Sequence, residues 1–174
     1  MKRLFSLGLT SLLLLTGLNT KAQEDKSQRP SPPALVSQKL GDIMVSIDYS
    51  QPSVKGRTIG VDLEPKPGLV WRTGANEATV FEVDKDIVIE GKPLPKGKYG
   101  LFTIMNGDDW TIIFNKTWKQ WGAFTYKEAD DVLRVNVKST KAVPFSEKMT
   151  FLIDENGRVS LLWGDIKVVF TIKH

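Results

Sequence analysis

Cysteine is absent, and the single histidine, His174, is the last residue of the 174-residue chain. The first absence excludes a disulfide framework, a thiolate nucleophile, an iron–sulfur cluster and any zinc site with sulfur ligands. The second leaves no imidazole where general acid–base catalysis or metal ligation would want one. Helical periodicity is also nearly missing: only the stretch from Trp118 to Asp131 leaves room for a turn or short helix. No fixed-period repeat occurs, so solenoids and propellers are excluded. There is no Gly-x-Ser-x-Gly elbow, His-Glu-x-x-His pair, phosphate-cradling glycine loop, dinucleotide fingerprint or Asp-x-Asp-x-Asp-Gly calcium loop. These gaps predict no cofactor and no metal, and they argue against the common hydrolases and nucleotide enzymes.

A strong charge of one sign is lacking too. The formal net charge is +4, but Lys2, Arg3 and Lys21 lie in a segment that reads as an export signal, and without them 21 basic residues face 20 acidic ones. A nucleic-acid partner would want a concentrated basic surface, and none is encoded. In the first 22 residues, Lys2 and Arg3 precede an apolar stretch from Leu4 to Leu18. Thr20-Lys21-Ala22 then sets small residues around a cleavage point before Gln23. The stretch is short for a spanning helix, and no cysteine follows it to carry a lipid. The expectation is a periplasmic or secreted protein with no membrane span once residues 1–22 are removed. Residues 23–33 are polar and proline-rich and read as a disordered tether, leaving 34–174 as a single domain with a core of its own.

What the domain has in abundance is period-two alternation. Ile43, Val45, Ile47 and Tyr49 share one strand face, and Leu133, Val135 and Val137 share another. Met149–Ile153, Val159–Trp163 and Val168–Ile172 predict a three-stranded meander turning at Asp154–Gly157 and at Gly164-Asp165. A hairpin is predicted from Tyr99–Met105 to Trp110–Phe114, and another from Thr79–Val83 to Ile87–Glu90 through Asp84-Lys85-Asp86. Gly91–Tyr99 reads as a crossing loop whose Tyr99 hydroxyl bonds loop backbone. Eight or nine short strands with tight turns predict an all-β fold, an antiparallel β-sandwich of jelly-roll or immunoglobulin-like kind, with a small β-barrel as the alternative.

Two segments concentrate ligand chemistry. In Val70–Thr79, Trp71 offers a stacking face, Arg72 a planar donor fork, Asn76 a donor and an acceptor, and Glu77 a carboxylate. An internal Arg72–Glu77 pair on a sharp turn would account for the same residues without a ligand. In Asn115–Tyr126, Trp118 and Trp121 would share a side of one helical turn beside Gln120 and lysines, the combination of ring faces and hydrogen-bonding groups that saccharides require. Elsewhere the carboxylates fall at turns or in adjacent pairs that point to opposite faces.

The segment Trp71-Arg72-Thr73-Gly74-Ala75-Asn76-Glu77-Ala78-Thr79 resembles the DUF2911 family of exported bacterial proteins. Ile47–Arg57, Leu94–Ile104 and Trp110–Lys116 are similar to it as well, so the resemblance covers about residues 34–173. Leu63–Leu69 stands where relatives carry a Leu-Val-Pro-Tyr-Gly-like run. The resemblance implies export, a mostly β domain and bacterial origin, and it implies no activity.

The leading functional expectation is a non-catalytic exported binding domain for a small polar ligand, a saccharide or cell-envelope fragment. Trp71, Arg72, Asn76 and Glu77 would form its floor, with Trp118 and Trp121 stacking the ligand. The alternatives are a carboxylate-dependent glycan hydrolase or lyase, with Glu77 the first catalytic candidate, and an envelope module that presents a sheet edge or the tether to another protein.

Overall fold

In the computed structural model, which describes residues 25–173, alternation of apolar and polar side chains produces ten strands. The expected signal segment and His174 lie outside the described residues. The strands are β1 (Pro33–Leu40), β2 (Ile43–Ser50), β3 (Val70–Trp71), β4 (Thr79–Val83), β5 (Ile87–Ile89), β6 (Lys92–Leu94), β7 (Gly97–Asn106), β8 (Asp109–Asn115), β9 (Asp131–Ile153) and β10 (Arg158–Lys173). Every ladder is antiparallel, in the order β1-β2-β4-β7-β8-β9-β10-β5-β6, with β3 beside β7.

The long strand β9 turns this ladder into two layers. Its first half, through Lys138, pairs with β8, whereas Ser139–Ile153 pairs with β10. Chain leaving β2 then closes onto the second half of β9, where Val54 N–H donates to Glu147 O and Met149 N–H to Pro52 O, each at 2.9 Å. Aromatic pairs fill the space between layers. Tyr49 meets Phe151 edge-on at 5.0 Å, Trp71 stacks on Trp163 at 5.4 Å, and Phe114 meets Phe170 at 5.9 Å. Full burial of such a side chain contributes on the order of 1.5–3 kcal/mol, so this interior holds the fold without disulfides. The fold is an all-β antiparallel sandwich.

Several local expectations are corrected. Gly164-Asp165 does not turn the chain: it sits within β10 as an irregularity, where the register against β9 shifts on either side of Gly164. A bulge and a hairpin use the same residue types, because both need a left-handed φ, here +63° at Gly164. Thr79–Val83 and Ile87–Ile89 are not hairpin partners. β4 lies between β2 and β7, while β5 pairs with β10 and β6. The Asp84-Lys85-Asp86 turn keeps its backbone chemistry, with Asp84 accepting from Met44 N–H at 2.9 Å and Asp86 from Lys96 N–H at 2.8 Å, but it carries the chain between layers. The stretch read as a crossing loop contains β6, and the Tyr99 hydroxyl donates to Pro95 O at 2.7 Å as expected. The only helix assigned between Trp118 and Asp131 is a 3-10 turn, Glu128–Asp130, so the two indoles do not share a helical turn.

The outer face of the first layer positions the candidate site. Ala78, Phe102 and Ile113 are buried there, with Val70, Ile104, Ala123 and Tyr126 packed against them. β7 and β8 are thus covered on both faces, from outside by the segment between β8 and β9. Residues 25–32, placed by sequence in the tether, lie along the same face, with a 3-10 turn at Lys26–Gln28 before β1 begins at Pro33.

Candidate functional site

The Trp71–Thr79 segment is shaped by a tight turn on a buried threonine framework. Thr73 is fully buried at φ +52°, unfavourable for a β-branched residue. It is held there by Thr79 Oγ1, which donates to Thr73 O at 2.7 Å, and by a Thr73–Thr103 hydroxyl contact of 3.2 Å. At Gly74 any Cβ would stand 2.9 Å from Thr79 Oγ1 and 3.2 Å from Ser50 O, so the turn admits no side chain without a shift. The turn delivers Asn76 and Glu77 to the outer face.

There the two candidate segments meet. Glu77 and Trp121 are partners in an isolated antiparallel bridge, flanked by Ala78 N–H donating to Gln120 O and Gly122 N–H donating to Asn76 O, both at 3.0 Å. Between this strip, β2 and the Lys26 segment lies a cleft of about 460 Å³, lined by Asp48, Tyr49, Glu77, Trp118, Gln120 and Trp121 among others. Trp118 is 36% exposed and Trp121 54% exposed, so both indoles keep accessible surface.

The loop carrying the indoles is pinned from below. Buried Asn115 donates through Nδ2 to Asp131 Oδ1 at 2.7 Å and to Lys127 O at 2.9 Å. Tyr126 donates to Asp131 Oδ2 at 2.7 Å, and Arg134 donates to the same oxygen at 2.6 Å and to the Tyr126 hydroxyl at 2.7 Å. Burial and the hydrogen bond to Asp131 push the Tyr126 phenol up to about 12. Higher in the loop, Gln120 donates to Thr117 O at 2.7 Å and accepts from the Thr125 hydroxyl at 3.0 Å.

Charge in the cleft is organised around Glu77. Lys26 Nζ lies 2.8 Å from one of its oxygens and Arg29 Nη1 2.8 Å from the other. Burial alone would raise this carboxyl, but the hydrogen bonds from Lys26, its own backbone and Arg29 prevail and hold it below the ordinary range. Asp48 moves the opposite way. Desolvation in the cleft raises it and the negative Glu77 adds to that, against the attraction of Lys26 and Lys98. The cations also sit against the rings, Arg29 at 5.7 Å from the Trp121 centroid and Lys98 at 5.6 Å from that of Trp118.

Of the residues expected in the site, the structure brings Asn76, Glu77, Trp118 and Trp121 together. Asn76 serves as scaffold, donating to Ser31 O at 3.0 Å. Trp71 points into the core, 2% exposed, with its indole N–H donating to Gly74 O. Arg72 is half-buried and does not pair with Glu77. Its Nε has no hydrogen-bond partner, burial lowers its pKa, and the charge that opposes this shift is that of Glu64. Asp48, Lys26 and Arg29 were not legible as site residues. Asp48 occupies the polar face of a strand, and the two cations sit in a segment whose composition reads as a tether. A larger groove of about 550 Å³ lies between Val54–Ile59 and the β10 irregularity, but its Arg57 is committed to the carbonyls of Ser53 and Val54.

A family model described as a protein of unknown function, DUF2911, matches residues 31–172. The chain belongs to the DUF2911 family. Nothing among curated proteins or solved structures matches it. The cleft is therefore read from its own chemistry, and all of its lining except Lys26 falls within the DUF2911 match. Among the described residues of this DUF2911 chain, no helix is long and apolar enough to cross a membrane.

Proposed function

We propose that the protein is an exported bacterial binding domain, periplasmic or secreted and without catalytic activity, that takes a saccharide or other small polar cell-envelope fragment. The observation that carries this reading is the cleft itself, in which two accessible indoles stand beside two carboxylates and the Gln120 side of the bridged strip. Sugar C–H faces stack on such rings while their hydroxyls need fixed acceptors and donors. Export is supported by the charged start, apolar stretch and Thr20-Lys21-Ala22 of the first 22 residues.

The test is titration calorimetry against a panel of envelope-derived oligosaccharides. Trp118→Ala and Trp121→Ala should each weaken binding by about tenfold or more, an effect of ~1.4 kcal/mol. Wild-type affinity in both variants would end this reading. Export is checked by fractionating cells that express the full chain and sequencing the mature amino terminus, expected to begin at Gln23.

One observation favours a second reading, a carboxylate-dependent glycan hydrolase or lyase. Glu77 and Asp48 line the same cleft, and their environments move their pKa values in opposite directions, the pattern of an acid–base pair. Glycan turnover by wild type that disappears in folded Glu77→Gln and Asp48→Asn proteins would establish it.

A further inference from the structure

The cleft already holds cations, and they come from the protein's own chain. Each Glu77 oxygen is engaged by one, Lys26 Nζ at 2.8 Å and Arg29 Nη1 at 2.8 Å, and the Arg29 guanidinium also lies over the Trp121 ring at 5.7 Å. A carboxylate beside an accessible indole face is the arrangement that recognises an ammonium or guanidinium group. We propose that this end of the cleft takes an amine-bearing polar ligand and that Lys26–Arg29 occupies it in the free protein, leaving when the ligand enters. The proposal rests on the small-polar-ligand reading above and names the chemistry of that ligand.

Two further observations support it. The turn of the occupying segment is lightly held: it buries no residue and Asp25 through Gln28 are all exposed, while Arg29 after it keeps 13% of its side chain exposed. Beyond the ion pairs and the Arg29–Trp121 contact, the chain just after it is tied by Asn76 donating to Ser31 O at 3.0 Å and by Gln51 N–H donating to Pro32 O at 2.9 Å. Displacing such a segment disrupts no core. The charges left behind also favour a cation. Lys98, the cation nearest Trp118, is committed to Glu82 at 3.0 Å. With Lys26 and Arg29 gone, the charged residues left in the lining are Asp48, Glu77 and Lys119, a net negative set, with Lys98 still acting on Asp48 from beside Trp118. Lys26 is itself part of the lining, so its departure enlarges the space it vacates.

The experiment compares three probes by calorimetry on the domain with its amino-terminal segment intact: glucosamine oligosaccharides, the same oligomers N-acetylated, and cadaverine. The acetylated sugar keeps the ring and loses the charge, whereas cadaverine keeps the charge and loses the ring. Glucosamine oligomers should bind about tenfold more tightly than their acetylated counterparts. Lys26→Ala/Arg29→Ala, which alters an exposed lysine and a half-buried arginine, both outside the core, should tighten binding several-fold by removing the internal competitor. Glu77→Gln should abolish the preference for the free amine. Equal binding of the two sugars would overturn the amine inference and leave the saccharide reading standing. Cadaverine binding without sugar binding would do the reverse. Silence from all three probes overturns both, and a double variant no tighter than wild type overturns the internal-occupant role.

Discussion

Glu77 and Trp121 face one another across a single antiparallel bridge, and Arg29 contacts both, one nitrogen 2.8 Å from the carboxylate and its guanidinium 5.7 Å from the ring centroid. Acid and ring are therefore one unit: a shift of the loop that carries Trp121 also changes the setting of Glu77.

The pH response of this unit follows from the depressed Glu77 pKa. A carboxyl held lower in the folded state than in the unfolded one contributes stability above its unfolded value, near 4.5, and loses it as pH falls through the folded value. Acidification below that point should release Lys26 and Arg29 and change the fluorescence of the exposed Trp121. Asp48, raised in the same cleft, titrates with the opposite sign and offsets part of the stability change, so the indole signal is the clean readout. Glu77→Gln should remove the transition; its persistence would place the titrating group elsewhere.

Indoles in the core and in the cleft should differ sharply in cost. Trp71, 2% exposed and stacked on Trp163, should destabilise by about 3–5 kcal/mol when changed to alanine. Trp121→Ala, at 54% exposure, should cost less than about 1 kcal/mol while losing the cleft's ring. Denaturant melts of the two variants check both values.

Asp131 anchors the loop from beneath. Asp131→Ala strips partners from Asn115, Tyr126 and Arg134 together, and should cost on the order of 3 kcal/mol. Amide exchange should rise across residues 116–126 while the β2–β4 ladder stays protected. Unchanged exchange in that loop would mean that its packing on Phe102 and Ile113 suffices to hold it.

Two glycines test the backbone. At Gly157, with φ +79°, a Cβ would come within 2.3 Å of Ile172 O, in the turn where Ile172 N–H donates to Gly157 O at 2.8 Å. Gly157→Ala should cost several kcal/mol, well above the ~1 kcal/mol expected at Gly107, where φ is +61° and nothing lies within 4 Å. Equal thermal shifts would show that the Gly157 turn relaxes.

The strand interiors were legible wherever one face is dry, as in Ile43–Tyr49 and Leu133–Val137, because alternation and burial are the same fact there. Sheet membership was not. Asp84-Lys85-Asp86 is sound turn chemistry, yet whether the next strand pairs with the last or crosses to the other layer depends on β10, which arrives much later in the chain. β1 went unread because its inward face, Ala34, Val36, Gln38 and Leu40, starts with a small residue beside a proline run and is interrupted by a glutamine. The site was half visible. Both of its segments stood out by composition, but the bridge joining them is a tertiary contact, and Asp48, Lys26 and Arg29 acquire meaning only through it.

The loop over Phe102 and Ile113 divides its labour by residue. Ala123 and Tyr126 form an underside that the sheet requires, while Trp118, Trp121 and Phe124 face outward and owe the core little, with Phe124 84% exposed. The outward side chains can accordingly be exchanged without refolding what lies below. Replacement of the outward set, with the underside and Asp131 retained, makes this surface a natural platform for grafting new recognition onto an unchanged sandwich.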